Sequence, residues 1–305
     1  MTSQLVVVGT RSSPLSLVQT GDVVSKLRAR FPDRQFTLSR ISTTGDTNKD
    51  APLLTMEKGM FVKEIELALL SGEIDLAVHS AKDLTVELPD GLTLAAVSQR
   101  EDPRDVLVDR WDLALDALPV GARIGTSSPR RTALLMASRR DIRVLPIRGN
   151  VGTRLDKAHG DDYDGVVLAA AGLSRLGRLA EVSEYLPPDD FTPEVGQGAL
   201  AIQTRSDDGD TIETVREVDH GPSHVALAAE RAFLRAMGGG CSVPVAAYAE
   251  LQMDGLTVSA MAALPDGSRV FRAAFDGDAR VPETVGQMAA QRLLETGAEE
   301  IIDST

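Results

Sequence analysis

The sequence predicts an α/β protein of two doubly wound domains followed by a small α+β domain, on three observations. Short β-branched apolar runs alternate with helical patterns through the first two-thirds, as in "QLVVVGT" before "SSPLSLVQTGDVVSKLRARF"; this is the pattern of βαβ units and mainly parallel sheets. The plan then repeats. "GTRSSP" at 9–14 returns as "GTSSP" at 125–129, and "IDLAVHSAKDL" at 74–84 aligns without gaps on "YDGVVLAAAGL" at 163–173. Third, beyond residue 220 an amphipathic helix and a glycine run give way to alternating segments with Asp-Gly turns, which suit a small antiparallel sheet.

Taken in order, residues 4–10 form the first buried strand. Ser13 is placed to cap the following helix, and Pro14 suits its first position. Residues 122–140 repeat this plan, with Ser128 and Pro129 in the same roles. The stretch "QREDPRD" at 99–105 reads as the junction between the two α/β halves. Residues 223–237 carry helical periodicity, "GGGCSVP" follows at 238–244, and "PETVGQMAAQRLLETGAEEII" closes the chain as a helix.

Composition bounds the function. The chain has 305 residues, 43% of them hydrophobic and 25% charged, with a formal net charge of −13 and one cysteine. Phosphate backbones select basic surfaces, so this charge argues against nucleic acid as a partner. No run approaches the roughly 18 apolar residues of a membrane helix. The N-terminus lacks the basic segment of a signal peptide. With a single cysteine, the expectation is a cytoplasmic protein.

The candidate chemistry is anionic. A strand feeding a Ser/Thr turn into a helix presents free N–H groups and a positive dipole end. Here Arg11 stands beside the first such turn, and Arg130 and Arg131 beside the second. Arginines at a helix start are electrostatically unfavourable, and an anionic ligand would offset the conflict. Arg148, Arg154 and Arg175 also fall near expected carboxyl ends of strands, where ligands bind in open α/β sheets. Guanidinium groups there match carboxylates bidentately. Lys82 and Asp83 occur where the second half has Ala171 and Gly172; an aspartate so placed either caps a helix or handles protons. His79 has no second histidine beside it and reads as structural, and no cluster has metal-ligand spacing. No nucleotide-binding glycine motif and no nucleophile elbow occurs. On residues alone, Cys241 fits a buried apolar side chain and a covalent role equally.

Together, "GTRSSPLSL", "TGDTNKD", "KGMFVKEIELALLSGEIDLAVHSAKDL", "REDPRDVLV", "IGTSSPRRTALL", "IRGNVGTRLDK", "LAAAGLSRLG", "PEVGQGALAIQTR" and "ERAFLRAMGGGCSVPVAAYAEL" closely resemble the porphobilinogen deaminase (hydroxymethylbilane synthase) family, in the family's order. The resemblance implies two domains built like two-lobed periplasmic binding proteins and a third that anchors a cofactor. Its boundaries are 1–98 with 199–216, 103–194 and 220–305, with hinges near 99–102 and 195–198. It implies an enzyme that condenses four porphobilinogen molecules head to tail, losing ammonia through an electrophilic azafulvene-type cation, to give linear hydroxymethylbilane. Cys241 is implied to carry a dipyrromethane cofactor through a thioether. Asp83 is implied as the proton-transfer residue, paired with Lys82. Thr126, Ser127, Ser128, Arg130 and Arg131 would hold the cofactor together with Lys82 and Asp83. Arg11, Ser13, Gln19, Arg148, Arg154, Arg175 and Gln197 would hold the substrate side. The enzyme is expected as a monomer. Thr85 stands where the family usually has proline, and Ala246 where it often has glycine. A non-catalytic two-lobed dicarboxylate-binding protein is the alternative, but it leaves the glycine-cysteine loop and Lys82-Asp83 unexplained. A cysteine-dependent hydrolase would lack an evident histidine partner.

Overall fold

The computed structural model describes residues 5–43, 59, 62–238, 243–253 and 255–302. The "TGDTNKD" stretch and Cys241 lie outside the described residues. The chain forms two compact units, residues 1–100 with 199–224, and residues 101–198 with 225–305.

In the first unit, β1 (Leu5–Arg11), β2 (Gln35–Ile41), β3 (Leu76–Ser80), β4 (Leu92–Val97) and β10 (Leu200–Arg205) form one sheet in the order β2-β1-β3-β10-β4. β1, β2 and β3 run parallel, whereas β10 is antiparallel to both its neighbours. The strands read as continuous apolar runs because both faces are covered. Val6, Val8, Leu76 and Val78 pack against helix α1 (Pro14–Arg30), while Ala77 and Ile74 face helix α2 (Lys63–Leu70).

The second unit repeats the design. β5 (Asp105–Asp109), β6 (Arg123–Gly125), β7 (Arg143–Leu145), β8 (Gly165–Ala169) and β9 (Glu184–Tyr185) take the order β7-β6-β8-β5-β9. β6, β7 and β8 are parallel, and β5 is antiparallel to β8 and β9. Helices α3 (Pro129–Ser138), α4 (Val151–Ala158) and α5 (Ala170–Arg175) belong to this layer. The aligned stretches of the sequence are β3 and β8, third in each sheet. Their aspartates do the same work: Asp75 accepts the Val7 N–H at 2.8 Å, and Asp164 accepts the Arg123 N–H at 2.9 Å. Each carboxylate thus pins its strand to the first parallel neighbour.

Helix α6 (Gly209–Arg216) completes the first unit, and helix α7 (Gly221–Ala236) follows it. β11 (Val245–Gln252), β12 (Gly255–Ala263) and β13 (Val270–Gly277) form the expected antiparallel sheet. Ala246, Met261 and Ala263 share one apolar core with Leu107, Ile124 and Val167 of the α/β layer. Ala246 is fully buried there. Helix α8 (Pro282–Leu293) crosses α7 so closely that a Cβ on Gly286 would lie 2.0 Å from the Ala229 carbonyl oxygen. The closing helix expected as one piece is broken at Gly297, whose φ is +96°, before α9 (Glu299–Ile302). Gly238, the first residue of "GGGCSVP", has φ +79° and ends α7, the left-handed stop that glycine makes without strain.

Candidate active site

The first unit presents its chemistry at the carboxyl ends of β1 and β3. Ser13 caps α1 as expected, its Oγ accepting the Ser16 N–H at 3.2 Å, with Pro14 in the first turn. The first turn has no acidic residue, so the dipole end stays positive. β3 ends at Ser80 and tightens into a 3-10 turn over Ala81–Asp83. The turn is set by two backbone bonds, Ala81 N–H to the Ala199 carbonyl at 3.0 Å and Leu84 N–H to the Ala81 carbonyl at 3.4 Å. This brings Asp83 to Arg11, Oδ2 to Nη1 at 3.9 Å, with both side chains partly exposed. Lys82 is half-buried in the same turn. Gln19 is buried and donates from Nε2 to Ser80 Oγ at 2.9 Å, tying α1 to the end of β3. Thr85, where proline was the usual residue, donates its hydroxyl to the Glu87 carbonyl and packs where a Cβ on Gly59 would come within 2.9 Å.

His79 is buried beneath this chemistry rather than part of it. It is 5% exposed on β3, and burial pushes its imidazole down to about 4. The Gln203 amide works the other way, and the Arg11 charge adds to the depression. Among the described residues, neither His79 Nε2 nor Gln203 Oε1 has a hydrogen-bond partner of normal geometry. Gln203 Nε2 instead donates to Glu66 Oε1 at 3.0 Å.

In the second unit, the end of β6 continues through Thr126, Ser127 and Ser128 into α3. Ser127 Oγ donates to the Ile147 carbonyl at 2.6 Å and accepts the Ile147 N–H at 2.9 Å, stitching this turn to the chain beyond β7. Thr126 Oγ1 accepts the Ser128 N–H at 3.2 Å, and Ser128 caps α3 through the Arg131 N–H at 3.4 Å. Arg148 stands three residues beyond β7 rather than at its end. Arg154 lies in the first turn of α4, its Nε donating to the Gly149 carbonyl at 2.8 Å. Arg175 closes the short helix α5 that follows β8, and its Nη2 donates to the Gly198 carbonyl at 2.8 Å.

Arg130 and Arg131 do not stand exposed at the helix opening. They are 4% and 6% exposed and converge on Asp105, which is fully buried. Asp105 Oδ2 lies 2.8 Å from Arg130 Nη1, and Oδ1 lies 2.7 Å from Arg131 Nη2. Burial alone would raise the Asp105 carboxyl, but the two guanidinium groups overcome it and hold the group well below the usual carboxylate range. Gln197, fully buried, joins this cluster by donating Nε2 to Asp105 Oδ1 at 2.8 Å and to the Pro103 carbonyl at 2.7 Å. Two cations against one carboxylate leave a local excess of one positive charge. Arg130 Nε and Nη2 are buried without a partner among the described residues. Orphaned buried donors call for a ligand, and a carboxylated cofactor fits this donor set.

Asp105 was not among the residues singled out from sequence. Its signal was an acid opening the fully buried run "DVLVD". Glu230 was missed as well: buried on α7, it accepts the Gly196 N–H at 2.7 Å and the Ala249 N–H at 2.9 Å. It thereby fixes the backbone beside Gln197. Among the described residues, no group of three or more His, Cys, Asp or Glu is arranged to hold a metal, and no helix is long and apolar enough to cross a membrane.

Comparison with known proteins shows the family. Residues 6–213 match the family model described as porphobilinogen deaminase, dipyromethane cofactor binding domain. Residues 225–295 match porphobilinogen deaminase, C-terminal domain. The porphobilinogen deaminase of Desulforudis audaxviator is 49% identical over 298 residues, covering 97% of this chain and 96% of its own. That of Pelotomaculum thermopropionicum is 46% identical over 298 residues, with the same coverage. Among solved structures, the VFT2 domain of Bordetella pertussis BvgS is similar with a TM-score of 0.43 and 16% identity, over 70% of this chain and 86% of that one. The aliphatic sulphonate-binding protein SsuA of Escherichia coli gives a TM-score of 0.41 at 13% identity, over 78% and 71% of the two chains. With both family models matched in order and relatives near half identical along nearly the whole length, the chain belongs to the porphobilinogen deaminase family.

Proposed function

We propose that this chain condenses four porphobilinogen molecules head to tail, losing one ammonia at each addition, to give linear hydroxymethylbilane on a dipyrromethane carried by Cys241. The observation that carries the reading is the meeting of Asp83 and Arg11, 3.9 Å apart at the carboxyl ends of two parallel strands. In each addition a carbon–carbon bond forms at a free pyrrole α-carbon, the aminomethyl nitrogen leaves as ammonia, and the α-carbon loses its proton. Asp83 takes that proton and faces the positive charge that develops as the nitrogen departs. Arg11 orients the Asp83 carboxylate and places positive charge where a substrate carboxylate binds. The cofactor, when bound, supplies the pyrrole chain end with its nucleophilic α-carbon.

Lys82 serves the carboxylates near Asp83, and the α1 opening with Ser13 serves the substrate side, with Gln19 holding it in place. Arg148, Arg154 and Arg175 take acetate and propionate groups. The Thr126–Ser128 turn fixes the start of α3, from which Arg130 and Arg131 extend, and Gln197 completes that cluster. Residues 1–98 with 199–216, 103–194 and 220–305 act as three domains, the third carrying the anchor. The net charge of −13 supports a small-molecule partner over nucleic acid. The reading places the enzyme in the cytoplasm as a monomer, away from membranes.

The purified protein incubated with porphobilinogen should release about four ammonia per linear tetrapyrrole, the stoichiometry of general pyrrole condensation fixed by the four rings of the product. Binding without ammonia release would favour the dicarboxylate-binding alternative.

A further inference from the structure

Arg130 and Arg131 are adjacent in sequence and equally buried, yet their donors are used differently. Arg131 is fully engaged within its own unit. Its Nε and Nη2 donate to Asp105 Oδ1 at 3.1 and 2.7 Å, and Nη1 donates to the Val167 carbonyl at 3.1 Å. Nη2 also lies 3.3 Å from Gln197 Oε1. No nitrogen of this guanidinium is left over.

Arg130 is held by one nitrogen only. Its Nη1 lies 2.8 Å from Asp105 Oδ2 and donates to the Thr192 carbonyl at 2.8 Å. Nε and Nη2 are buried with no partner among the described residues. These two atoms form the side-on fork of the guanidinium, the edge whose parallel N–H groups match both oxygens of a carboxylate. A buried donor pair left empty is costly unless something fills it.

Asp105 is what separates the two roles. We propose that Asp105 is a positioning residue: it locks Arg131 as a strut and grips Arg130 by its far nitrogen, so that the Nε–Nη2 fork of Arg130 takes a single ligand carboxylate. The charge count agrees. Two guanidinium groups and one aspartate leave one positive charge, and one carboxylate neutralises it in the buried cluster. Gln197 keeps Asp105 in register by donating to the same Oδ1 that Arg131 uses. Arg131 is thus a positioning residue as well, acting on the ligand through Asp105 and the backbone of α3. The inference rests on the proposed function, which identifies the ligand as a pyrrole chain bearing carboxylates.

The test uses the full-length apoprotein, produced without porphobilinogen, then incubated with porphobilinogen while intact mass follows loading. Buried Nε–H groups exchange slowly with water, so both arginines are read by proton–nitrogen NMR before and after loading. The Arg130 Nε–H signal should move on loading while that of Arg131 stays in place. Arg130→Lys, which keeps the charge and loses the fork, should slow loading by about tenfold or more, whereas Arg131→Lys should slow it less. In Asp105→Asn both signals should move, because Arg131 is released from its partner. Movement of the Arg131 signal in the unsubstituted protein, or an Arg130 signal unchanged by loading, overturns the division of roles. A protein that never gains pyrrole mass overturns the proposed function and this inference with it, and mass alone tells that failure from the first. Should Asp105→Asn not fold, the two signals of the unsubstituted protein still decide.

Discussion

Asp105 and Arg131 form a buried pair in which one carboxylate oxygen accepts two N–H groups of one guanidinium, at 3.1 and 2.7 Å, with the side chains 0% and 7% exposed. The pair belongs to a larger cluster, since Arg130 shares the same aspartate. Removing the shared anion leaves two buried cations facing each other, and breaking such a pair costs about 3–5 kcal/mol. Asp105→Asn should therefore lower unfolding stability by about that amount in urea titration at neutral pH. The folded carboxyl lies below its ordinary range, so this contribution is present above the usual carboxylate pKa and is lost only as pH falls toward the depressed value. A variant as stable as the parent would mean that the two guanidinium groups do not depend on Asp105.

His79 adds an acid-side instability of its own. In the unfolded chain its imidazole takes a proton below about 6.5, whereas the buried ring resists until about 4. Between those values the unfolded state binds more protons, so stability falls as pH drops through the window. The gap corresponds to about 3 kcal/mol, fully lost by pH 4. His79→Gln, compared with the parent by denaturant unfolding at pH 7 and pH 4.5, should flatten that slope; an unchanged slope would place the titration elsewhere.

What was legible in the sequence was local. Ser13 and Ser128 were read as caps because capping is decided within one turn, and the structure has both. The repeat of residues 74–84 at 163–173 was legible because β3 and β8 hold the same place in each sheet. Strand direction was not. β5 and β10 run antiparallel inside otherwise parallel sheets, and apolar runs buried on both faces carry no mark of direction. This hid Asp105. As the first residue of antiparallel β5 it pairs with Ala169, the last residue of β8, and so reaches the edge where the parallel strands end. From sequence it belonged to a linker. For the same reason the sequence placed Arg130 and Arg131 at a helix opening with only a ligand to offset their charge, when the buried Asp105 draws them inward.

Asp83 offers a cleaner separation of chemistry from stability. It is partly exposed and sits in a short turn fixed by backbone bonds, so Asp83→Asn should fold normally. Loss of a proton-transfer group costs about 10²–10⁴ in rate. Turnover of porphobilinogen should fall by that factor with thermal stability within about 0.5 kcal/mol of the parent. Activity near the parent's would remove Asp83 from the reaction.

Arg148 and Arg154 test how the growing chain is held. Each guanidinium–carboxylate contact is worth about 1.5–3 kcal/mol, and different ring additions would lean on different arginines. Arg148→Leu and Arg154→Leu should accumulate enzyme carrying incomplete chains, seen as discrete added masses one pyrrole apart. A uniform fall in rate with no stalled species would instead assign these side chains to the stability of the α4 opening.

The central claim is that product is built on a pyrrole pair bonded to Cys241. The most direct measurement is the intact mass of the purified protein beside that of Cys241→Ser. The account predicts a parent heavier than its polypeptide by two linked pyrroles, and a variant with the bare polypeptide mass and no turnover. An unmodified parent that still makes hydroxymethylbilane would contradict it.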